Sequence, residues 1–169
     1  WCKIFLGRAW MPRYIRSKRF GGMFFFTVTL KDRHSSVLID HIDLLRECVR
    51  HVKSKRPFGI IAWVVLPDHI HAIWRLPKGD NDFSRRWQLI KMLFTKKLKE
   101  RTHFKESVWQ GRFWEHEIKS DKDLRSHIHY CYFNPVKHGY VLSTRDWPYS
   151  SFHRDVKLGL FDIHWNGVF

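Results

Sequence analysis

Cysteine is scarce: Cys2, Cys48 and Cys131 are the only three in 169 residues, widely separated, odd in number and without a C-x-x-C pair. This excludes a disulfide framework and a zinc-thiolate centre, and a reducing cytoplasm fits. Long hydrophobic runs are missing as well. The longest uninterrupted apolar stretch, residues 60–66, falls far short of the roughly 20 residues that a membrane-spanning helix needs. No transmembrane segment and no membrane partner are therefore expected. Residues 1–10 mix apolar and basic types without a small-residue cleavage site, so they do not read as a secretory signal. Internal repeats, low-complexity segments and a second-domain linker are absent. Acidic side chains are few: 16 Asp plus Glu stand against 31 Lys plus Arg, a net charge of +15. Such a surplus costs self-repulsion unless a polyanion relieves it, which makes nucleic acid the first partner to expect. A generally basic protein, or one that meets anionic membrane, is the alternative on charge alone.

Hydrophobic residues make up 44% of the chain and aromatics 17%, enough for the core of one ordinary domain. Residues 8–19 form a basic arm with Arg8, Arg13, Arg16, Lys18 and Arg19, ending at Gly21-Gly22. Residues 23–30, rich in Phe, Val and Thr, predict a strand buried on both faces. From a Ser35 or Ser36 cap, Leu38, Ile42, Leu45, Val49 and Val52 recur at helical steps, predicting one helix that stops before Pro57. Residues 58–66 and 69–76 read as two strands of a hairpin around Pro67-Asp68. An Asp80 or Asp82 cap then opens a helix with Phe83, Trp87, Ile90, Phe94 and Leu98 on one face. Its other face carries Arg85, Arg86, Lys91, Lys96, Lys97 and Lys99, a basic surface. Residues 113–118 predict a fourth strand, and Asp121 or Asp123 caps a last helix that ends near Asn134, because Pro135 disfavours helical geometry before it. Residues 139–169 read as a tail of turns and aromatic anchors. The order β-α-β-β-α-β-α suits an α+β fold: an antiparallel four-stranded sheet with helices packed on one face and one helix added at the end.

Two short motifs carry chemistry. His69-Ile70-His71 begins a strand, where residues two apart leave the same face, so both imidazoles point one way while Ile70 and Ala72 pack the other. Tyr130 and Asn134 stand four apart on the last predicted helix and share a face. Each motif alone is unspecific: twelve histidines give about one H-x-H pair by chance, and a tyrosine on an aromatic-rich helix is usually packing. His127 and His129 make the contrast, because residues two apart on a helix diverge. Together, two imidazoles and an amide oxygen would make an open three-ligand site for Mg²⁺ or Mn²⁺. A metal that polarises phosphate would make a tyrosine an effective nucleophile.

The residues Leu66-Pro67-Asp68-His69-Ile70-His71 resemble the His-hydrophobic-His (HUH) signature. The run His129-Tyr130-Cys131-Tyr132-Phe133-Asn134-Pro135-Val136-Lys137-His138-Gly139 resembles the tyrosine-helix motif of the REP-associated tyrosine transposases, relatives of the single-tyrosine insertion-sequence transposases. Further matches are Phe24-Phe25-Phe26-Thr27-Val28, the run from Val108 through Trp109, Arg112 and Phe113 to His116, and Asp146-Trp147-Pro148-Tyr149-Ser150-Ser151-Phe152-His153. The resemblance covers residues 11–153 as the transposase domain, with residues 1–10 an upstream extension and residues 154–169 a C-terminal tail. It implies a ferredoxin- or RRM-like HUH fold with a C-terminal tyrosine helix. It also implies His69, His71 and Asn134 as ligands of a divalent Mg²⁺ or Mn²⁺, where many relatives outside this subfamily carry Gln in place of Asn134. Tyr130 is implied as nucleophile, and Tyr132 is its rival by proximity. The implied reaction cuts single-stranded DNA at the hairpin of a repetitive extragenic palindrome, forming a 5′-phosphotyrosine and a free 3′-OH that can later rejoin strands. Candidate DNA contacts are Arg13, Arg16, Lys18, Arg19, Lys91, Lys96 and Lys97 for phosphates, and Arg112 with Trp109 and Phe113 for unpaired bases. The expected setting is the bacterial cytoplasm near the nucleoid, with monomer or homodimer left open.

Three rival readings remain. An RNA-recognition-type binding module shares the sheet-and-helix plan and would bind without metal or cleavage. A replication initiator or relaxase would share the chemistry. A structural zinc protein would need four ligands, for which no Cys or further His has suitable spacing.

Overall fold

The computed structural model describes residue 17 and residues 19–167. The elements run β1 (Gly22–Thr29), α1 (Val37–Asp40), α2 (Ile42–Lys55), β2 (Gly59–Val65), β3 (His69–Leu76), α3 (Phe83–Arg101), β4 (Trp114–Ile118) and α4 (Asp121–Lys137). A 3₁₀ turn (Thr144–Asp146) and α5 (Phe152–Lys157) follow. The strands form one antiparallel sheet in the order β2-β3-β1-β4. The two central strands are buried on both faces, which is why β1 and β3 read as nearly continuous apolar runs rather than alternating ones.

Each sheet face has its own core. Phe24, Phe26, Val28, Ile70, Ala72 and Trp74 point to one face and meet the stripes Leu45, Cys48, Val49 and Val52 of α2 and Trp87, Ile90, Phe94 and Leu98 of α3. Trp87 stacks on Trp74 at 4.3 Å and 14°. Its removal to alanine would cost about 3–5 kcal/mol. Phe25, Ala62, Val64, Ile73 and Ile118 point to the opposite face, where α4 lays Cys131 and Tyr132 against them. His69 and His71 share this second face, so the α2–α3 layer holds the sheet and leaves the other side for α4. Residues after α4 close the free edge of β2: Val65 N–H donates to the Tyr149 carbonyl, Ser151 N–H to that of Trp63, and the Trp147 indole to that of Val65. This removes an open strand edge.

Several elements depart from the expectation. The single helix expected after Ser35–Ser36 is two, broken at His41, whose φ of −119° and ψ of 38° lie outside the helical region. Ser36 makes no capping bond; its hydroxyl instead donates to Asp40. α4 is capped by Ser120, which accepts from Asp123 N–H, and it does not end at Asn134. It runs through Pro135 to Lys137 and closes in a Schellman turn, with Tyr140 N–H on the Pro135 carbonyl and Gly139, at φ 72°, donating to Val136. A proline so near the helix end breaks few bonds, and this closure supplies partners for the last carbonyls. Arg86 is not part of a basic surface. It is 2% exposed and donates to Asp80, to the carbonyls of Arg56 and Pro57, and to that of Asp82. Arg13, Arg16, Lys18 and the extension expected at residues 1–10 lie outside the described residues. Among the described residues no helix is long and apolar enough to cross a membrane.

Candidate active site

The alternation of β3 delivers His69 and His71 side by side, ring centroids 4.8 Å apart, both almost fully buried. Each imidazole has one nitrogen already engaged. His69 Nδ1 lies 2.7 Å from Asp68 Oδ1, and the other oxygen of Asp68 accepts from Arg33 Nε at 2.5 Å. His71 Nδ1 lies 2.9 Å from Thr27 Oγ1, which the β1–β3 register sets directly opposite it. His71 Nε2 is buried and has no hydrogen-bond partner among the described residues. Burial, reinforced by the nearby charges of His69, His138 and Lys137, holds the His71 pKa well below the ordinary imidazole value, so the ring is neutral with a lone pair. Burial alone would raise the carboxyl of Asp68, but the His69 hydrogen bond and the charges of His69 and Arg33 bring it below its usual range.

α4 crosses this face and brings Tyr130 and Asn134 with it. The Tyr130 ring stands 5.1 Å from that of His71, and both contact Phe25, at 5.9 and 5.4 Å. Lys137 Nζ lies 5.1 Å from the Tyr130 ring centroid. Asn134 is fully buried, and neither its Oδ1 nor its Nδ2 has a partner among the described residues. A buried amide left unpaired costs about 1–3 kcal/mol. Tyr132 points elsewhere: it is fully buried, and its hydroxyl donates to Asp155 at 2.5 Å and lies 3.1 Å from Ser151. Burial, with the Asp155 hydrogen bond, pushes its pKa far above the ordinary phenol value. A phenol so held is neither accessible nor easily ionised. His127 and His129 diverge: His129 packs against Trp165 and Phe161, whereas His127 stacks on His116.

Asp68, Thr27, Lys137 and His138, whose ring lies 5.5 Å from that of His69, were not singled out by the sequence. Asp68 could have been found by its adjacency to His69; Thr27 needed the strand register. The expected DNA contacts spread over the other sheet face. Arg19 is exposed and ion-paired with Glu117 at 2.6 Å, and Arg112 is exposed. Lys96 is exposed beside Glu100, while Lys97 pairs with Glu47. Lys91 donates to the Gln110 carbonyl at 2.6 Å. Trp109 is 8% exposed, edge-on to Phe94 at 5.5 Å, and so packs the core in this conformation. Phe113 is half-buried against Phe26, Phe83 and Trp87. A further cationic groove, unpredicted, runs between α2 and the β2 edge, with Arg46, Arg50, Lys53 and Arg154 beside Trp63 and Tyr149.

Known proteins resemble this chain over most of its length. The family model described as "Transposase IS200 like" matches residues 20–122. The REP-associated tyrosine transposase of Escherichia coli (strain K12) is 50% identical over 157 residues, covering 93% of this chain and 92% of that protein. A relative from Haemophilus influenzae is 45% identical over 166 residues, covering 93% and 94%. A solved structure described as the REP-associated tyrosine transposase bound to a REP hairpin superposes with a TM-score of 0.88 at 50% identity, covering 94% of this chain and 93% of the other. With most of its length matched at that identity, the chain belongs to the IS200-like transposases and, within them, to the REP-associated tyrosine transposases.

Proposed function

We propose that this transposase cuts and rejoins single-stranded or hairpin DNA of the repetitive extragenic palindrome class, with Tyr130 as nucleophile and His69, His71 and Asn134 holding a divalent Mg²⁺ or Mn²⁺. The observation that carries the reading is a pair of buried acceptor atoms with no hydrogen-bond partner among the described residues: His71 Nε2, on the ring next to Tyr130, and Asn134 Oδ1, one helical turn from Tyr130 on α4. They fit a metal because the Nδ1 atoms of both histidines are engaged, by Asp68 and Thr27, which directs Nε2 toward a ligand role. When bound, the ion would polarise the scissile phosphodiester.

The chain's own residues do the rest. Tyr130 loses its phenolic proton and attacks phosphorus; the bond to the 3′ oxygen breaks, and that oxygen takes up a proton. The 5′ phosphate stays as a diester on Tyr130, so a 3′-OH can reverse the step without ATP. Lys137 Nζ, 5.1 Å from the Tyr130 ring centroid, sets a positive charge beside the nucleophile, where an anionic phosphodiester would approach. Tyr130 lies 5.1 Å from His71 of the same chain, so the proposed nucleophile and metal ligands meet within one protomer here, whether the active unit is a monomer or a homodimer. Arg19, Lys91 and Lys96 are proposed as phosphate contacts and Arg112 as a contact to unpaired bases, with the Arg46–Arg50–Lys53 groove as a further track for the backbone. Phe113 keeps partial exposure for contact with an unpaired base. The hairpin preference rests on the relative whose structure holds a REP hairpin.

The test is incubation with single-stranded hairpin oligonucleotides and Mn²⁺ or Mg²⁺. A denaturation-resistant protein–DNA adduct that requires metal and disappears in Tyr130→Phe is expected. Salt-sensitive binding with no adduct under either metal would favour the RNA-recognition-type binding module instead.

A further inference from the structure

Three side chains with metal-ligand chemistry converge at the β4 edge of the sheet, outside the site above. His116 lies on β4, Asp123 in the first turn of α4 and His127 one turn later; one ligand atom from each lies within 4.8 Å of the others. His116 Nε2 is 3.2 and 3.0 Å from the two Asp123 carboxylate oxygens. His127 Nδ1 is 3.0 Å from the Asp123 carboxylate and 2.9 Å from the Asp123 carbonyl. Asp123 is fixed from behind, its Oδ2 accepting from Lys119 N–H at 2.9 Å and its own N–H donating to Ser120 Oγ. The imidazoles lie 4.7 Å apart and within 15° of parallel, held between Trp114, 6.0 Å from His116, and Phe25, 4.8 Å from His127. Exposures of 33%, 22% and 22% leave the cluster open to ions from solvent.

We propose that His116, Asp123 and His127 form a second cation site, selective for a transition-metal ion of the Zn²⁺ class and separate from the site at His69, His71 and Asn134. Two imidazoles and one carboxylate with a remaining open position are a ligand set that zinc accepts, and nitrogen donors favour Zn²⁺ over the hard ion Mg²⁺. Asp123 and His127 stand four apart on α4 and so share a face. Each close nitrogen–oxygen approach now needs a proton between the atoms; a bound cation takes the place of those protons. Occupancy would also clamp α4 to β4. His127 and Tyr130 are three residues apart and both contact Phe25, so the clamp acts one turn from the tyrosine.

The experiment is calorimetric titration of Zn²⁺ into the full chain and into two variants, His116→Ala/His127→Ala and His69→Ala/His71→Ala, with thermal unfolding in chelator to establish that each is folded. About one equivalent should persist in His69→Ala/His71→Ala and be lost in His116→Ala/His127→Ala. Asp123→Asn, which keeps an acceptor for Lys119 N–H, should weaken that equivalent by about tenfold or more. Amide exchange over residues 121–130 should slow on adding Zn²⁺. The proposal is overturned if His69→Ala/His71→Ala binds no Zn²⁺, or if His116→Ala/His127→Ala binds as the parent does. Unchanged amide exchange at saturation would overturn the clamp. Adduct formation with Mn²⁺ is a separate readout, so failure here leaves the reading of Tyr130 standing, and the converse.

Discussion

Asn134→Leu is expected to stabilise the metal-free protein and to abolish most of its response to Mn²⁺. Asn134 is fully buried and neither amide atom has a partner among the described residues, a penalty on the order of 1–3 kcal/mol that a leucine of the same branched shape does not incur. A net gain of about 2 kcal/mol corresponds to a rise in Tm of roughly 4–8 °C for a domain of this size. Ligand linkage works in the other direction. With Mn²⁺ at a thousandfold excess over Kd the parent gains about 4 kcal/mol that the variant lacks, so the order of stability reverses. The assay is thermal unfolding of both proteins in chelator and across a Mn²⁺ series. The reasoning fails if Asn134→Leu is the less stable protein in chelator, because the amide must then be satisfied without metal, or if both proteins gain equally from Mn²⁺.

Thr27→Val keeps a β-branched strand residue but removes the partner of His71 Nδ1, so Mn²⁺ titration of cleavage should show about 10–100-fold weaker activation. Tyr132→Phe should leave adduct formation intact while lowering stability in urea by about 1–3 kcal/mol, since it strips a hydrogen bond from buried Asp155; loss of the adduct at full stability would instead restore Tyr132 as nucleophile. Arg86→Met should cost about 3 kcal/mol by stripping the Asp80 carboxylate of its guanidinium partner and leaving it only the Asp82 N–H among the described residues. The hydrogen bond from Arg86 holds the Asp80 carboxyl below its ordinary value against the opposing effect of burial. The part of the contribution that depends on the Asp80 charge is therefore fully present above about pH 4 and lost as pH falls through the depressed value; acid titrations of stability should be shallower in Arg86→Met.

The parts legible in the sequence were those with a short period. His69-Ile70-His71 declared one face of a strand, and Tyr130 with Asn134 one face of a helix, because each relation is local. The stripes of α2 and α3 and the hairpin at Pro67-Asp68 were readable for the same reason. Contacts set by strand pairing were not. Thr27 meets His71 only through the β1–β3 register, and Arg86 looks like a surface cation until the loops at Arg56–Pro57 and Asp80–Asp82 fold around it. Pro135 read as a stop because its cost to a helix is judged locally, whereas the Schellman turn three residues on supplies the closing bonds. His127 served as a contrast to His69 and His71, and it does diverge from His129. Its partners are His116 and Asp123, one on another element, which spacing along the chain does not reveal.

The central claim is that Tyr130 becomes covalently joined to DNA. It is tested most directly by trapping the adduct on a hairpin oligonucleotide with Mn²⁺, digesting both components and locating the modified residue by mass spectrometry. The account predicts a nucleotide attached through its 5′ phosphate to Tyr130, with a free 3′-OH on the released strand. Attachment at Tyr132, Tyr140 or Tyr149, or a cleaved strand with no nucleotide on the protein, would contradict it.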